Sequence, residues 1–302
     1  MDVLAVVLPA FVIIALGWLS GRLGLFSHAS VRPLSDYAFY LALPALTFLG
    51  LAAADLPALV ATGVLNVAVA TCVVVLVGVR LALHRFKLSR KTRAGVLVYS
   101  FLGNTAYLGI PVSILAAGAQ GGSLAIVLSA AYFIVGMTVG VALIERAVLR
   151  RPRWVLIVRD LAQFPITWAI VFGVAFSLSG LQLPMVLTES LDLLAASALA
   201  VPLFALGVFV FGSDLSRDLR PALAVSAVKL VAMPLAALAF ALALGLSGVL
   251  LKVSVIEAGV PVAVTSFVLA EKYGLAEGLA AESVVVSTAA SVFTLGAIAA
   301  FL

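Results

Sequence analysis

The chain of 302 residues is 65% hydrophobic and only 10% charged, and its mean hydropathy is +1.29. A soluble domain of this length needs more polar surface to cover its core, so the composition excludes one. The net charge of +5 does not indicate nucleic-acid binding, because the basic residues lie in short segments between apolar stretches. Those stretches are much longer than the roughly ten alternating residues of a membrane β-strand, so we expect an all-α membrane protein.

Ten apolar stretches of about 20 residues predict ten transmembrane spans. In chain order they cover residues 3–20, 34–53, 58–83, 94–117, 123–144, 161–178, 191–211, 221–244, 249–270 and 279–302. The first is interpreted as a span and not as a signal peptide, because no basic residue precedes it and no small-residue cleavage pattern follows.

The distribution of lysine and arginine supports this count. The segments after spans 1, 3, 5, 7 and 9 contain basic residues, and those after spans 2, 4, 6 and 8 contain none. The positive-inside rule then predicts that the basic segments face the cytoplasm and that both termini lie on the outer side. We expect a multi-pass protein of the plasma membrane.

Proline, glycine and aspartate positions recur between the two halves of the chain. The recurring pairs are Pro9 and Pro165, Gly17 and Gly173, Gly24 and Gly180, and Asp36 and Asp192. Because each half has five spans, the second half must enter the membrane in the opposite direction, which is an inverted-topology repeat. This predicts a first repeat over 1–147, a cytoplasmic connector over 148–160 and a second repeat over 161–302. Asp36 and Asp192 fall at span starts, where carboxylates commonly act as helix N-caps.

Two stretches predict breaks in spans 4 and 9. Residues 103–111 read Gly-Asn-Thr-Ala-Tyr-Leu-Gly-Ile-Pro, and residues 257–265 read Glu-Ala-Gly-Val-Pro-Val-Ala-Val-Thr. Glycine adds backbone freedom and proline removes an N–H donor, so a helix is expected to stop at both places. Interrupted backbone is tolerated at membrane depth only where protein covers it or where it lines a cavity. Paired interruptions in matching halves indicate the binding site of a secondary transporter.

The two breaks supply the candidate substrate-binding residues. They are Asn104, Thr105, Gly109, Ile110, Pro111, Val260, Pro261 and Thr265. The amide of Asn104 can bind a carboxylate or cap the half-helix that begins there. The hydroxyls of Thr105 and Thr265 are open to a ligand or to their own helix backbone.

Two ionisable side chains within spans are candidate coupling or charge-balancing groups, because intramembrane charges are functional hypotheses by default. Glu257, at the ninth-span break, suits proton binding or cation coupling. The alternative is a neutral carboxyl that bonds to backbone freed by the kink. Lys229, in span 8, is open to three interpretations: pairing with Glu257, neutralising an anionic substrate, or joining two helices in a structural ion pair.

The sequence disfavours an enzyme. The histidines His28 and His84 lie in loops, so an intramembrane zinc site or serine–histidine site is not expected. The chain contains no glycine motif of the ATP-binding type. We therefore expect no cofactor beyond coupling protons or sodium ions.

The pattern Asn-x-x-x-x-Gly-x-Pro at 104–111 resembles the fourth helix of the auxin efflux carrier family, which includes plant PIN-formed carriers and bacterial malate and malonate carriers. Residues 163–165, Lys229 with Pro234, residues 257–261 and residues 273–294 are similar too. The resemblance implies two inverted five-helix repeats, of the type shared with bile-acid symporters and NhaA-like antiporters. It also implies that broken helices 4 and 9 cross at Pro111 and Pro261 beside the substrate. A scaffold and a transport part would then move relative to each other, in a homodimer.

We expect a secondary active transporter, of the elevator type, for a small organic anion such as a mono- or dicarboxylate or an auxin-like acid. The carboxylate would dock between Asn104 and the half-helix N-termini. Lys229 would balance charge, and Glu257 would couple transport to protons. The alternatives are a cation/proton antiporter on the same fold, which usually needs an aspartate at a crossing, and a transport-dead membrane sensor. Besides the substrate, the partners expected are the lipid bilayer and a second copy of the chain, with no nucleic acid.

Overall fold

The computed structural model describes residues 3–148, 154–212 and 219–302, and these residues fold into α-helices without a β-strand. The helices are α1 (Val3–Arg22), α2 (His28–Ala52), α3 (Leu56–Ala61), α4 (Val64–Leu83), α5 (Arg90–Phe101), α6 (Thr105–Val148), α7 (Trp154–Ala162), α8 (Pro165–Ser179), α9 (Met185–Phe211), α10 (Arg220–Ala243), α11 (Gly248–Gly259), α12 (Thr265–Tyr273) and α13 (Glu277–Phe301). Ser89 caps the start of α5, where its hydroxyl accepts from the Thr92 N–H at 3.1 Å.

Six of the described helices, α2, α4, α6, α9, α10 and α13, are long and apolar enough to cross a membrane. Helix α8 and residues Leu8–Arg22 of α1 form shorter apolar helices. Many large apolar side chains, such as Leu16, Val73 and Leu235, point outward and are exposed, which suits a surface covered by lipid. The chain is therefore a multi-pass, all-α membrane protein.

Helix α6 contains two antiparallel segments. Straight, its 44 residues would extend about 66 Å, roughly twice the hydrocarbon thickness of a bilayer. The helical conformation is lost at Ala117, and at Gly118 φ is 66°, a left-handed conformation that favours glycine. The second segment folds back on the first, since the Ser129 hydroxyl donates to Thr105 Oγ1 at 2.9 Å. This is the predicted boundary between spans 4 and 5.

The helices pack in two groups. In the first group, α1 packs along α9, and α2 packs along α8 and α9. In the second, α11 packs on α6, α10 and α13, and α10 also packs on α4 and α13. The groups meet mainly where α1 contacts α13 and where α2 contacts α6. The two broken helices belong to the second group.

Several predicted boundaries need correction. Helix α2 begins at His28, so Asp36 lies within the helix, 3.9 Å from Arg32 Nε, and is not its N-cap. Helix α9 begins at Met185, so the cap prediction for Asp192 is also wrong. Both helices extend past the apolar stretch that the prediction used to place their starts.

Two predicted segments differ from the observed helices. The predicted third span is divided into α3 and α4 at Gly63, where φ is 73°. Of the predicted connector 148–160, residues 149–153 lie outside the described residues, and helix α7 begins at Trp154.

Close packing of α1 against α9 depends on glycine. A β-carbon at Gly207 would collide with the Ile14 carbonyl oxygen, and one at Gly17 would collide with the Phe204 carbonyl oxygen. Replacing Gly207 by leucine is expected to lower the free energy of unfolding by about 1–3 kcal/mol or more, because overpacking forces the helices apart. Thermal unfolding in detergent measures this.

The matched control is Gly78→Leu on α4, because no atom lies within 4 Å of a β-carbon built there. An equal loss of stability in both variants would contradict close packing of α1 on α9.

Candidate functional site

The two broken helices cross through a short antiparallel pairing. Helix α5 ends at Phe101 and α6 begins at Thr105, while α11 ends at Gly259 and α12 begins at Thr265. Between these ends, the Asn104 N–H donates to the Pro261 carbonyl at 2.8 Å, and the Ala263 N–H donates to the Leu102 carbonyl at 3.1 Å. Both predicted breaks are observed, and each supplies hydrogen-bond partners that the other has lost. The pairing includes Pro261 as expected, but Pro111 lies inside α6 and not at the crossing.

Two serines support the crossing from neighbouring segments. Ser287 of α13 accepts from the Val262 N–H through its hydroxyl oxygen at 3.0 Å. Ser129, in the second segment of α6, donates a hydrogen bond from its hydroxyl to the hydroxyl oxygen of Thr105. The sequence analysis missed both residues, because a serine in an apolar helix most often bonds to its own backbone, as Ser291 does to Thr288.

A cavity of about 70 Å³ lies beside the crossing. Its wall is formed by the first turn of α6, the start of α12, the second segment of α6, and side chains from α2 and α8. The lining residues are Phe39, Leu43, Leu102, Gly103, Asn104, Thr105, Ala106, Tyr107, Ser129, Tyr132, Phe133, Met137, Ile166, Ala263, Val264 and Thr265. The lining contains no charged side chain. Of the predicted substrate-binding residues, Asn104, Thr105 and Thr265 line it.

A second cavity, of about 210 Å³, adjoins the first and shares Tyr107 and Thr265 with it. It continues past Asp36 on α2 and Leu269 on α12. These positions lie toward the start of α2, after the Arg22 segment, and toward the end of α12, which carries Lys272. The crossing therefore communicates with the end of the protein that carries the basic segments.

Asn104 is a buried polar side chain in the cavity wall. Its side chain is 5% exposed, and its amide nitrogen has no hydrogen-bond partner among the described residues. It does not cap α6, so the capping interpretation is wrong for the side chain. An unmade buried hydrogen bond costs about 1–3 kcal/mol, and a ligand acceptor would recover this energy.

Helix N-termini add positive potential to the same cavity. The first residues of α6 (Thr105, Ala106 and Tyr107) and of α12 (Thr265) all line it. A helix dipole favours negative charge at the helix start. At α12 the Ser266 and Phe267 N–H groups already donate to the Ala263 and Val264 carbonyls, so this helix acts on the cavity mainly through its dipole. Two helix starts and an unpaired amide donor together make a neutral wall that suits a carboxylate.

Glu257 lies behind the crossing and does not line either cavity. The side chain is fully buried, and Ser113 donates to Oε1 at 3.4 Å, whereas Oε2 has no partner among the described residues. A β-carbon at Gly109 would lie 2.5 Å from Oε1. The carboxyl therefore packs on the backbone of α6 in its second turn, one turn beyond the cavity wall.

Lys229 holds the broken end of α11. Its ammonium donates to the Ala258 carbonyl, one residue before the end of that helix, where the dipole favours a cation. A β-carbon at Gly103 would lie 2.9 Å from Nζ. No ion pair within 4 Å joins Lys229 to Glu257 in the part of the chain that the structure describes. The predicted pairing is not observed, and Lys229 is not part of the cavity wall.

The other predicted substrate-binding residues do not line either cavity. Ile110, Pro111 and Val260 are buried, Gly109 faces Glu257, and Pro261 contributes its carbonyl to the crossing. Direct ligand contact by these five stays a prediction. The sequence analysis missed Phe39, Tyr132, Phe133 and Met137, which line the cavity from α2 and from the second segment of α6.

The chain is similar to known proteins over nearly its whole length. A family model described as "Membrane transport protein" matches residues 2–153 and 151–298. An uncharacterized transporter of Methanocaldococcus jannaschii is 24% identical over 301 residues, which cover 98% of this chain and 96% of that protein. A Rhizobium meliloti protein that is provisionally named a malonate transporter is 28% identical over 305 residues. These cover 97% of this chain and 93% of that protein. Auxin efflux carrier component 1 of Arabidopsis thaliana is 28% identical over 43% of this chain and 22% of its own.

The Ser287 contact yields a test of the crossing. Replacing Ser287 by alanine leaves the buried Val262 N–H without a partner, which is expected to lower the free energy of unfolding by about 1–3 kcal/mol. Thermal unfolding of the purified protein measures the change. Ser291→Ala on the same helix is the control, because that hydroxyl bonds only to its own helix. Equal effects of the two changes would show that Ser287 does not support the crossing.

Proposed function

Because the chain belongs to the membrane transport protein family, which includes auxin efflux carriers, we propose that it is a secondary active transporter of a small organic anion. The substrate class is a mono- or dicarboxylate or an auxin-like acid. The similarity to a relative named for malonate transport, which extends over nearly the full length of both chains, supports a carboxylate. The match to the Arabidopsis carrier covers less than half of this chain and supports auxin itself less.

The observation that carries this proposal is the neutral cavity at the crossing. Asn104 brings an unpaired amide donor to it, and the starts of α6 and α12 face it. A carboxylate accepts hydrogen bonds from both kinds of group without requiring a cationic side chain. A cation/proton antiporter usually needs an aspartate at the crossing, and the described cavity wall has no aspartate.

The proposed membrane topology has ten crossings in two inverted repeats of five. The first repeat contains α1, α2, α4, the broken pair of α5 with the first segment of α6, and the second segment of α6. The second repeat contains α8, α9, α10, the broken pair α11–α12, and α13. The basic segments then face the cytoplasm, and both termini are periplasmic in the bacterial inner membrane.

The proposed mechanism is of the elevator type. The cavity lies between the two helix groups: Phe39 and Ile166 belong to α2 and α8 of the first group, whereas Asn104 and Thr265 belong to the second. Sliding the second group along the first would carry the crossing from one side of the membrane to the other. The first group would then be the fixed scaffold, and a homodimer would be formed through it.

Asn104 is the first residue to test. Replacing it by alanine removes the only side-chain amide in the described cavity wall and is expected to weaken carboxylate transport about 10- to 100-fold, the range for a hydrogen bond to a charged group. Asn104→Asp should weaken it further, because it brings a negative charge. Counterflow of labelled malonate in proteoliposomes, preceded by a thermal-shift screen of organic acids, measures both.

Asn66→Ala is the matched control, because Asn66 is exposed on α4, outside the cavity. Wild-type counterflow by a folded Asn104→Ala variant would contradict the site. Binding of an acid without any counterflow would favour a transport-dead sensor.

Glu257 is proposed to couple transport to protons through its contact with α6 at Gly109. Replacing it by glutamine keeps the shape and removes the titrating group, so the dependence of transport on pH should flatten while carboxylate binding persists. The measurement is net uptake and counterflow by the wild type and the variant, each over the same series of pH values. Glu189→Gln, which changes an exposed glutamate, is the control, and an unchanged profile in Glu257→Gln would remove the coupling role.

A further inference from the structure

We propose that a pocket lined by four arginines, at one end of α4, α5 and α6, binds the phosphate of an anionic phospholipid. Arg80 comes from the last turn of α4, Arg90 and Arg93 from the first turn of α5, and Arg146 from the last turn of α6. The pocket has a volume of about 330 Å³. Its remaining lining residues are Ala94, Leu97, Leu143 and Ala147.

Among the described residues, no acidic side chain lines this arginine pocket. The ion pair identified among them joins Arg32 to Asp36, and none of the four arginines has an acidic partner there. Arg93 donates from Nη2 to the Phe86 carbonyl at 3.2 Å, but its Nε is buried without a hydrogen-bond partner in the described structure. Like charges at short range repel each other, so an anion that bridges the guanidinium groups would stabilise the pocket.

Guanidinium groups favour phosphate as that anion. Each presents a planar fork of N–H donors that matches two phosphate oxygens at once. A free phosphate ion would use only the arginines. A phospholipid would also use the apolar half of the pocket, formed by Leu97 and Leu143.

The position of the pocket favours the lipid. In the proposed topology, the helix ends that bear these arginines lie on the cytoplasmic side at the depth of the headgroups. Basic pockets between helices on that side bind acidic headgroups. Val73, Val77 and Leu81 form an exposed apolar stripe on α4, spaced by four residues. The stripe leads from the level of Arg80 into the hydrocarbon and offers a surface for acyl chains.

This site is separate from the proposed transport site. The arginine pocket shares no lining residue with either cavity near the crossing. Its three helices all belong to the group that contains the crossing, so a bound lipid would hold α4, α5 and α6 together. The expected consequence is stabilisation by acidic lipid, with no requirement for a transport substrate.

The test measures binding of fluorescent phosphatidylglycerol to the purified full chain in neutral detergent, with phosphatidylcholine as the neutral lipid. Wild-type protein should prefer phosphatidylglycerol. Arg146→Gln, at an exposed position, should weaken binding about fivefold, and Arg93→Gln with Arg146→Gln about 25-fold, if each arginine contributes about as much as a basic residue near an acidic membrane surface.

Arg85→Gln with Lys87→Gln is the matched control, because it removes the same charge from the neighbouring exposed loop outside the pocket. An equal loss in the control would overturn the proposal in favour of diffuse charge attraction. In a second experiment, inorganic phosphate is added in place of unlabelled phosphatidylglycerol. If it displaces the fluorescent lipid or raises the unfolding temperature as much as phosphatidylglycerol does, the pocket binds a soluble anion and the lipid proposal is wrong. If the double variant does not fold, Arg146→Gln alone decides the outcome.

Discussion

Backbone N–H and C=O groups within a membrane must find partners inside the protein, and the crossing of the two broken helices meets this constraint. The pairing of residues 102–104 with 261–263 closes both interruptions at once. Two side chains bond to backbone groups that this pairing leaves without a partner. The Ser287 hydroxyl accepts from the Val262 N–H, and the Lys229 ammonium donates to the Ala258 carbonyl. Lys229 can approach this closely because Gly103 has no side chain. The site exists because these contacts allow two helices to begin in the middle of the protein.

The crossing separates two kinds of chemistry. On the cavity side, Asn104 and two helix starts form a neutral wall that suits a carboxylate. On the other side, Glu257 and Lys229 are buried without pairing within 4 Å of each other in the described structure. The contact between Glu257 and Gly109 joins the two sides, because α6 runs from that contact to the cavity wall in about one turn. In the proposed mechanism, protonation of Glu257 would act on the substrate by moving the α6 backbone and not by direct charge contact.

The helical class and the two breaks could be predicted from the sequence, because glycine, proline and long apolar stretches act locally. The meeting of the breaks is implied only by the family resemblance, which places it at Pro111, whereas the pairing lies at residues 102–104 and 261–263. Residues whose role depends on three-dimensional packing could not. Ser287 and Ser291 look alike in sequence, yet only Ser287 supports the crossing. Phe39 and Tyr132 join the cavity through packing between helices. The cap predictions for Asp36 and Asp192 are wrong because both helices begin six residues before the apolar stretches that were used to place their starts. Of the three interpretations of Lys229, pairing with Glu257 is not observed, because the ammonium donates to the freed Ala258 carbonyl.

The central claim is that a carboxylate occupies the cavity at the crossing and reaches it from the end with the basic segments. Labelling of a single cysteine at Thr265, which lines both cavities, tests this most directly in a background where Cys72 is alanine. A charged thiol reagent should label Thr265→Cys from the cytoplasmic side of oriented vesicles, and malonate or the acid found by screening should slow the labelling. Labelling from that side at a rate unaffected by any transported acid would contradict the account.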